Sequence, residues 1–410
     1  MRLQRTLTLG LTAAVCTVTC KSDRITNQHN PPRVDAGVDL RAYSGSAVSV
    51  TARITTSSAS QYRWTLSWGD GSADSGGLST TGMVTPNHTY TAVGQYALRL
   101  SARGPFGVSD TGSDTLSAAV AAPGTPEVFI GAGDIGECGL TWVAKTAAVI
   151  DTTPGTVFTL GDNVYPSGRA VDYANCYTET WGTFKKRTHP TPGNHEFQEY
   201  FHDTTADGYF GYFGVAAHDQ PIGDYSYDVG SWHIIVLNSS FEESLAAGRA
   251  LSRASQLTWL GNDLATHPAL CTLAMWHHPR FSSGTVHGND TLQAAFWRVL
   301  YDAGADVVLV GHEHNYERFA PQTADGVADP ARGIREFVVG TGGSGFDPLD
   351  TTKVGQVGNS EVGGVDHGVL KLTLSDAGYH WQFIPVGYTL GPNQTPRQYS
   401  HTDSGTASCH

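Results

Sequence analysis

An apolar run, Thr156-Val157-Phe158-Thr159-Leu160, stops at Gly161-Asp162-Asn163-Val164-Tyr165. This junction constrains the chain more than any other stretch. The run reads as a buried strand. A glycine at its end lets the backbone turn sharply, so Asp162 emerges at the carboxyl edge of a sheet, where open α/β folds place their chemistry. Asp162 is there a hard oxygen donor for a metal ion. Tyr165 offers a phenolate, which binds well only to a strongly Lewis-acidic metal. One Asp in a turn is usually a turn former and no more, so the case rests on repetition of the pattern.

Four further stretches repeat it. Val128-Phe129-Ile130 leads into Gly131-Ala132-Gly133-Asp134-Ile135-Gly136. Gly193-Asn194-His195-Glu196 follows a Pro/Gly turn. Leu273-Ala274-Met275-Trp276 leads into His277-His278-Pro279, and Val307-Val308-Leu309-Val310 into Gly311-His312-Glu313-His314. Asp, Asn, His and Tyr donors suit Zn, Fe and Mn. A lone His-X-His or Gly-Asp is ordinarily turn and core. Five such blocks in one order are far more specific.

In that order the blocks resemble the metallophosphoesterase signature, and the tyrosine after the second Asp is its purple acid phosphatase form. The resemblance covers roughly Glu127 to Gly387 and implies an α+β fold, a four-layer αββα metallophosphoesterase sandwich. It implies two metal ions bridged by Asp162. Asp134, Tyr165 and His314 join Asp162 around the first, and Asn194, His277 and His312 join it around the second. With Tyr165 as ligand the first ion is expected to be Fe(3+). The second is Zn(2+), Fe(2+) or Mn(2+), which ligand type does not decide. The implied reaction is hydrolysis of a phosphomonoester by direct in-line attack of a metal-bound hydroxide, without a phosphoenzyme. His195 is then the candidate general acid. His287, after the Ser282-Ser283-Gly284-Thr285-Val286 loop, is a candidate phosphate binder. His278 is ambiguous between a functional and a structural ring, and Glu196 and Glu313 are expected to orient neighbouring histidines. Two other functions remain open: a phosphodiesterase or nucleotidase on the same site, or a surface binding protein with a silent metal site. The aromatic stretch from Phe197 to Phe213 could stack a nucleobase or merely pack a loop.

The N-terminus reads as an export signal over residues 1–20. Arg2 and Arg5 precede an apolar core, Leu7 to Val18, too short to span a bilayer. Cys20 sits in an imperfect lipoprotein box, so a lipid anchor at Cys20 competes with a plain cleaved signal. Either way the protein is expected to be exported, whether secreted, periplasmic or surface-anchored. Cys138, Cys176, Cys271 and Cys409 then allow three pairings. Loops from neighbouring strand ends favour Cys138–Cys176, which leaves Cys271–Cys409 to tie down the tail. Two buried free thiols are the alternative. The net charge of −13 with no basic run disfavours binding to a nucleic-acid backbone. The resemblance instead points to a phosphate ester as the partner.

Residues 21–32 read as a linker. From 33 to 121 short alternating strands such as Val48 to Ile54, Gln61 to Leu66 and Gly94 to Leu100 predict an all-β sandwich. The series Trp68-Gly69-Asp70-Gly71-Ser72, His88-Thr89-Tyr90 and Gly94 to Leu100 resembles a PKD domain, an Ig-like module. Trp64, Tyr90 and Tyr96 are expected in its core, Asp70 is a turn former, and the module is read as a spacer or attachment unit of unknown partner. Ala122-Pro123-Gly124-Thr125-Pro126 marks a boundary. The catalytic domain is placed at 127–390. Its helices are expected near Trp142 to Ile150, Gln256 to Leu264 and Thr291 to Ala303, and Trp381 to Ile384 is its last strand. A loose tail is expected over 391–410.

Overall fold

The structure, a computed structural model, describes residues 30–56, 61–105, 107–197, 206–218, 222–240, 253–350, 352–354, 358–387 and 402–410. The export signal, Cys16, Cys20, most of the linker and most of the expected tail lie outside these residues.

Residues 33–121 fold as expected into a β-sandwich. A five-stranded sheet runs in the order Leu40–Tyr43, Thr111–Ala121, Gly94–Arg103, Tyr62–Ser67, Ala73–Leu78. A three-stranded sheet runs Arg33–Asp35, Ala52–Thr55, Gly82–Val84. Strand alternation sends Leu98, Leu100 and Ala102 inward, where they meet Ile54, Leu66, Trp68 and Tyr90 in one core. Tyr90 stacks on Tyr96, and Trp64 is only half-buried against that core. Asp70 is a turn former: it accepts hydrogen bonds from the Ser72 amide and hydroxyl and pairs with His88.

The second half carries two sheets. The six-stranded sheet runs Thr188–His189, Thr156–Thr159, Glu127–Ala132, His367–Ser375, Gly378–Gly387, Ser404–Ser408, and its first three strands are parallel. The seven-stranded sheet runs Tyr225–Val229, Trp232–Val236, Cys271–Met275, Val307–Val310, Arg335–Val339, Tyr316–Phe319, Ser360–Gly364. Its second to fifth strands are parallel.

Period-2 alternation explains why the sheets stack. Ile234, Leu273, Val307, Leu309, Phe337 and Val339 face inward and share one core with Phe129 and Phe158 of the other sheet. Their chain neighbours Ile235, Ala274, Val308, Val310 and Val338 face outward and pack with Leu260, Phe296, Trp297 and Leu300. Those last four come from helices Arg253–Thr266 and Ala294–Ala303. Helix Thr141–Asp151 buries Val143, Ala147 and Ile150, at helical spacing, against the six-stranded sheet. The layers are therefore helix, sheet, sheet, helix pair. Strands apolar on both faces are what a doubly covered parallel sheet requires.

The sandwich is fastened to this unit. Lys186 reaches Asp114 at 2.8 Å, Arg41 reaches Glu127 at 3.3 Å, and the Val215 amide donates to Asp35 at 2.9 Å.

The chain end departs from expectation. Ser404–Ser408 pairs antiparallel with Gly378–Gly387, so residues 402–410 are not a loose tail and Trp381 to Ile384 is not the last strand. Asp403 accepts hydrogen bonds from Tyr316, Arg318 and Trp381, and Cys271–Cys409 closes the end. The other disulfide is Cys138–Cys176.

Candidate metal centre

The five blocks fall at the carboxyl ends of parallel strands from both sheets. Asp134 follows Glu127–Ala132, Asp162 follows Thr156–Thr159, Asn194 follows Thr188–His189, His277 follows Cys271–Met275, and His312 follows Val307–Val310. Stacking the parallel strands of the two mixed sheets with their carboxyl ends together is what lets blocks so far apart in sequence meet.

Three of these residues, Asp134 (φ 58°), Asp162 (φ 48°) and His312 (φ 69°), hold a left-handed backbone. That conformation costs of order 1 kcal/mol each for residues other than glycine and persists where surroundings over-determine it. Here they do. The Asp134 amide donates to the Gly161 carbonyl at 3.1 Å and the Asp162 amide to Glu196 at 3.0 Å. The His312 amide donates to Asp134 Oδ2 at 2.9 Å. Gly193 is required for space: a Cβ there would stand 2.2 Å from Asp162 Oδ1.

The donor atoms gather in two overlapping sets. In the first, the Tyr165 hydroxyl lies 2.9 Å from Asp134 Oδ1, 3.1 Å from Asp162 Oδ2 and 3.0 Å from His314 Nε2. In the second, Asn194 Oδ1 lies 2.9 Å from His277 Nε2 and 3.1 Å from His312 Nδ1. Asp162 Oδ2 belongs to both, being 3.3 Å from His277 Nε2. All seven expected ligands are thus brought together. The Leu160 carbonyl accepts from His277 Nδ1 at 2.7 Å, which turns Nε2 and its lone pair into the site.

The electrostatics of the donor set ask for positive charge. Asp134 and Asp162 are both fully buried. Burial opposes ionisation of Asp162, but His277 and His195 hold it well below the usual carboxylate range. Burial pushes His277 down, yet Asp162 and Asp134 raise it to about 10. His314 is raised to about 9 against burial, chiefly by Asp134. Burial and the same two carboxylates push the Tyr165 phenol up. Two buried carboxylates, three imidazoles, an amide and a phenol converging on one point fit a pair of first-row metal ions, which would supply that charge.

His195 lies at the rim. Its Nδ1–H donates to the Pro166 carbonyl at 2.6 Å, and its Nε2 faces the pocket 3.7 Å from Asp162 Oδ2. His287 is exposed, with its ring 4.1 Å from that of His312 and its Nε2 3.9 Å from Asp347. His278 is buried, bonded to Ser239 Oγ at 2.8 Å and packed 4.3 Å from the His312 ring. Burial lowers it to about 3.

Glu196 and Glu313 orient loops, not histidine rings. Glu196 accepts the amides of Gly193, Asp162 and Asn163. Glu313 accepts those of His287 and Gly288. Sequence reasoning missed Ser239, which bonds the amides of both His277 and His278. It also missed Asp347, which accepts the His314 amide at 3.0 Å. Ser239 lies in Asn238-Ser239-Ser240, which matches a glycosylation sequon. Asn238 is fully buried and bonded to the Ile222 carbonyl, so that match is accidental.

Residues 114–316 match the calcineurin-like phosphoesterase family, and residues 29–120 match the PKD domain family. The chain carries a calcineurin-like phosphoesterase domain. A PKD domain precedes it. Among similar proteins are purple acid phosphatase 15 of Arabidopsis thaliana, 28% identical over 51% of this chain and 44% of that protein, and purple acid phosphatase 22 of the same plant, 27% identical over 53% and 51%. The chain therefore spans about half the length of these relatives. The fold is similar to that of a purple acid phosphatase from yellow lupin seeds (TM-score 0.58, 17% identity, 92% of this chain and 74% of that one). It is also similar to that of PhoD (TM-score 0.53, 13% identity, 92% and 88%).

Proposed function

We propose that the protein is an exported phosphatase of purple acid phosphatase type that hydrolyses phosphomonoesters at a dinuclear metal centre. The observation that carries this reading is the sharing of Asp162 Oδ2 between a tyrosine-containing and an asparagine-containing donor set. In the proposed assignment Asp134, Asp162, Tyr165 and His314 hold Fe(3+), while Asp162, Asn194, His277 and His312 hold Zn(2+), Fe(2+) or Mn(2+). Two such ions would screen the anionic oxygens of a phosphate ester and acidify a water. The chain's own residues do the rest. The Leu160 and Pro166 carbonyls fix the tautomers of His277 and His195. With Nδ1 tied, His195 presents Nε2 to the pocket, where it hands a proton to the leaving oxygen as general acid. His287, exposed beside His312, binds a phosphate oxygen. The two disulfides support export.

The test is a visible spectrum with metal analysis on the same sample, followed by turnover of mono- and bis-(p-nitrophenyl) phosphate. A broad green-to-yellow absorption, stoichiometric iron and faster monoester turnover are expected. Two zinc or manganese ions without colour would replace the reading by a diesterase if the diester is turned over faster, or by a nucleotidase if a nucleoside monophosphate is turned over far faster than the p-nitrophenyl monoester. A metal-loaded protein inactive on every phosphoester would leave a binding protein.

A further inference from the structure

We propose a second, separate metal site, formed by His233, Asp263 and His267, that takes a first-row divalent cation such as Zn(2+) at the junction between the PKD domain and the phosphoesterase domain.

One ligand atom from each of these residues lies within 4.8 Å of the others. The chain builds this convergence from two elements. His233 projects from strand Trp232–Val236. Asp263 is in helix Arg253–Thr266 and His267 directly follows it, so the spacing of four residues sets both on one helix face. His233 Nε2 and Asp263 Oδ2 face each other at 2.8 Å, and His267 Nδ1 stands 3.1 Å from Asp263 Oδ1 and 3.0 Å from the Asp263 carbonyl. The two imidazole rings lie nearly parallel, 5.1 Å apart at a 12° tilt, with Asp263 bonded to both.

The supporting contacts are those a metal site needs. Asp228 accepts from His233 Nδ1 at 3.0 Å, which turns Nε2 toward the cluster and raises its basicity. Ser226 donates to Asp263 Oδ1 at 2.7 Å and holds the carboxylate in place. His233 and Asp263 are buried while His267 is exposed, so a cation has a way in. The open side faces a cavity of about 490 Å³ between the phosphoesterase domain and the PKD strand Leu40–Tyr43, which leaves room for a water as fourth ligand. Two imidazoles and one carboxylate with one open position is a donor set for zinc and its neighbours, and it lacks the oxygen count that calcium or magnesium requires. None of these residues belongs to the catalytic donor set, so the site stands whether or not the proposed activity does.

The experiment uses the full chain with its catalytic metals in place. Wild type and His267→Ala are incubated with excess Zn(2+), desalted, and assayed for zinc and other metals, for melting temperature and for phosphoester turnover. His267 is exposed at the helix end, so its loss leaves the fold intact. Wild type should retain one zinc more per chain than His267→Ala, and zinc should raise its melting temperature by several degrees, a shift His267→Ala lacks. Turnover should be the same in both. A second variant, Asp263→Asn, should lose the same equivalent. Equal zinc content in wild type and His267→Ala would overturn the proposal and leave His233 as an imidazolium held between two carboxylates. Zinc retained in wild type but unaffected by either substitution would overturn it as well.

Discussion

Glu196 accepts the backbone N–H of Asp162 at 3.0 Å, and its other oxygen accepts that of Asn163 at 2.9 Å. A buried carboxylate in the third block thus fixes the backbone of the second, including the left-handed turn that aims Asp162 at both donor sets. Gln at this position would place an NH₂ group against an N–H donor and leave it unsatisfied, at about 1–3 kcal/mol. Glu196→Gln should therefore lower stability by that amount in urea unfolding and weaken metal retention after dialysis. Unchanged metal content would show that the turn holds without Glu196.

His195→Ala removes the group proposed to protonate the leaving oxygen but no member of either donor set. Turnover should fall roughly 10²- to 10⁴-fold with full metal content. The loss should shrink for esters whose leaving group is already a weak base, such as p-nitrophenol. Lost metal would instead make His195 a structural residue, acting through its ring's hydrogen bond to the Pro166 carbonyl at 2.6 Å.

Tyr165→Phe keeps the ring and removes the hydroxyl that touches Asp134, Asp162 and His314. The visible band should disappear and iron content should fall, while the metal of the Asn194 set stays. A band that survives would assign the colour to another group.

The site and the layers were legible because both are written in local pattern. The strand run Val307–Val310 ends where expected, since apolar residues on both faces leave it no other environment. Helix Arg253–Thr266 runs longer than expected at both ends, because the added residues Ala254, Ser255, Ala265 and Thr266 are small or polar and exposed, and so carry no apolar spacing. The chain end was not legible for a similar reason. Ser404–Ser408 has no large apolar side chain, and what holds it is remote: the disulfide to Cys271 and the bonds to Asp403. Contacts made by backbone groups, such as the Leu160 and Pro166 carbonyls on His277 and His195, leave no mark on side-chain identity at all.

Asp403 supports that chain end through a network a single substitution can break. It accepts Arg318 Nε at 2.7 Å, Tyr316 at 2.7 Å and Trp381 at 3.0 Å, and all four side chains are buried. Asp403→Ala should destabilise the protein by about 3 kcal/mol, because it strands a buried guanidinium and two buried donors. Urea unfolding checks this. A loss below about 1 kcal/mol would mean that Glu361, the other partner of Arg318, carries the charge alone.

His367 makes the fold acid-sensitive. Its ring is 1% exposed and is stacked between Trp142 at 4.8 Å and Phe346 at 4.1 Å. Burial lowers it to about 4, and the charges of His314 and Lys145 add to this against Asp366 and a bond with Thr341. The unfolded chain takes up a proton here near pH 6.5 and the folded chain only near 4, so this contribution to stability is complete above 6.5 and is lost as the pH falls between those values. The loss amounts to at most about 3 kcal/mol. His367→Phe keeps the stack and removes the titration. Between pH 7 and pH 4.5 the variant should therefore lose about 2–3 kcal/mol less stability than wild type in urea unfolding. Parallel losses in the two proteins would show that His367 takes up its proton in the folded state, and that the ring is reached by water despite its stack.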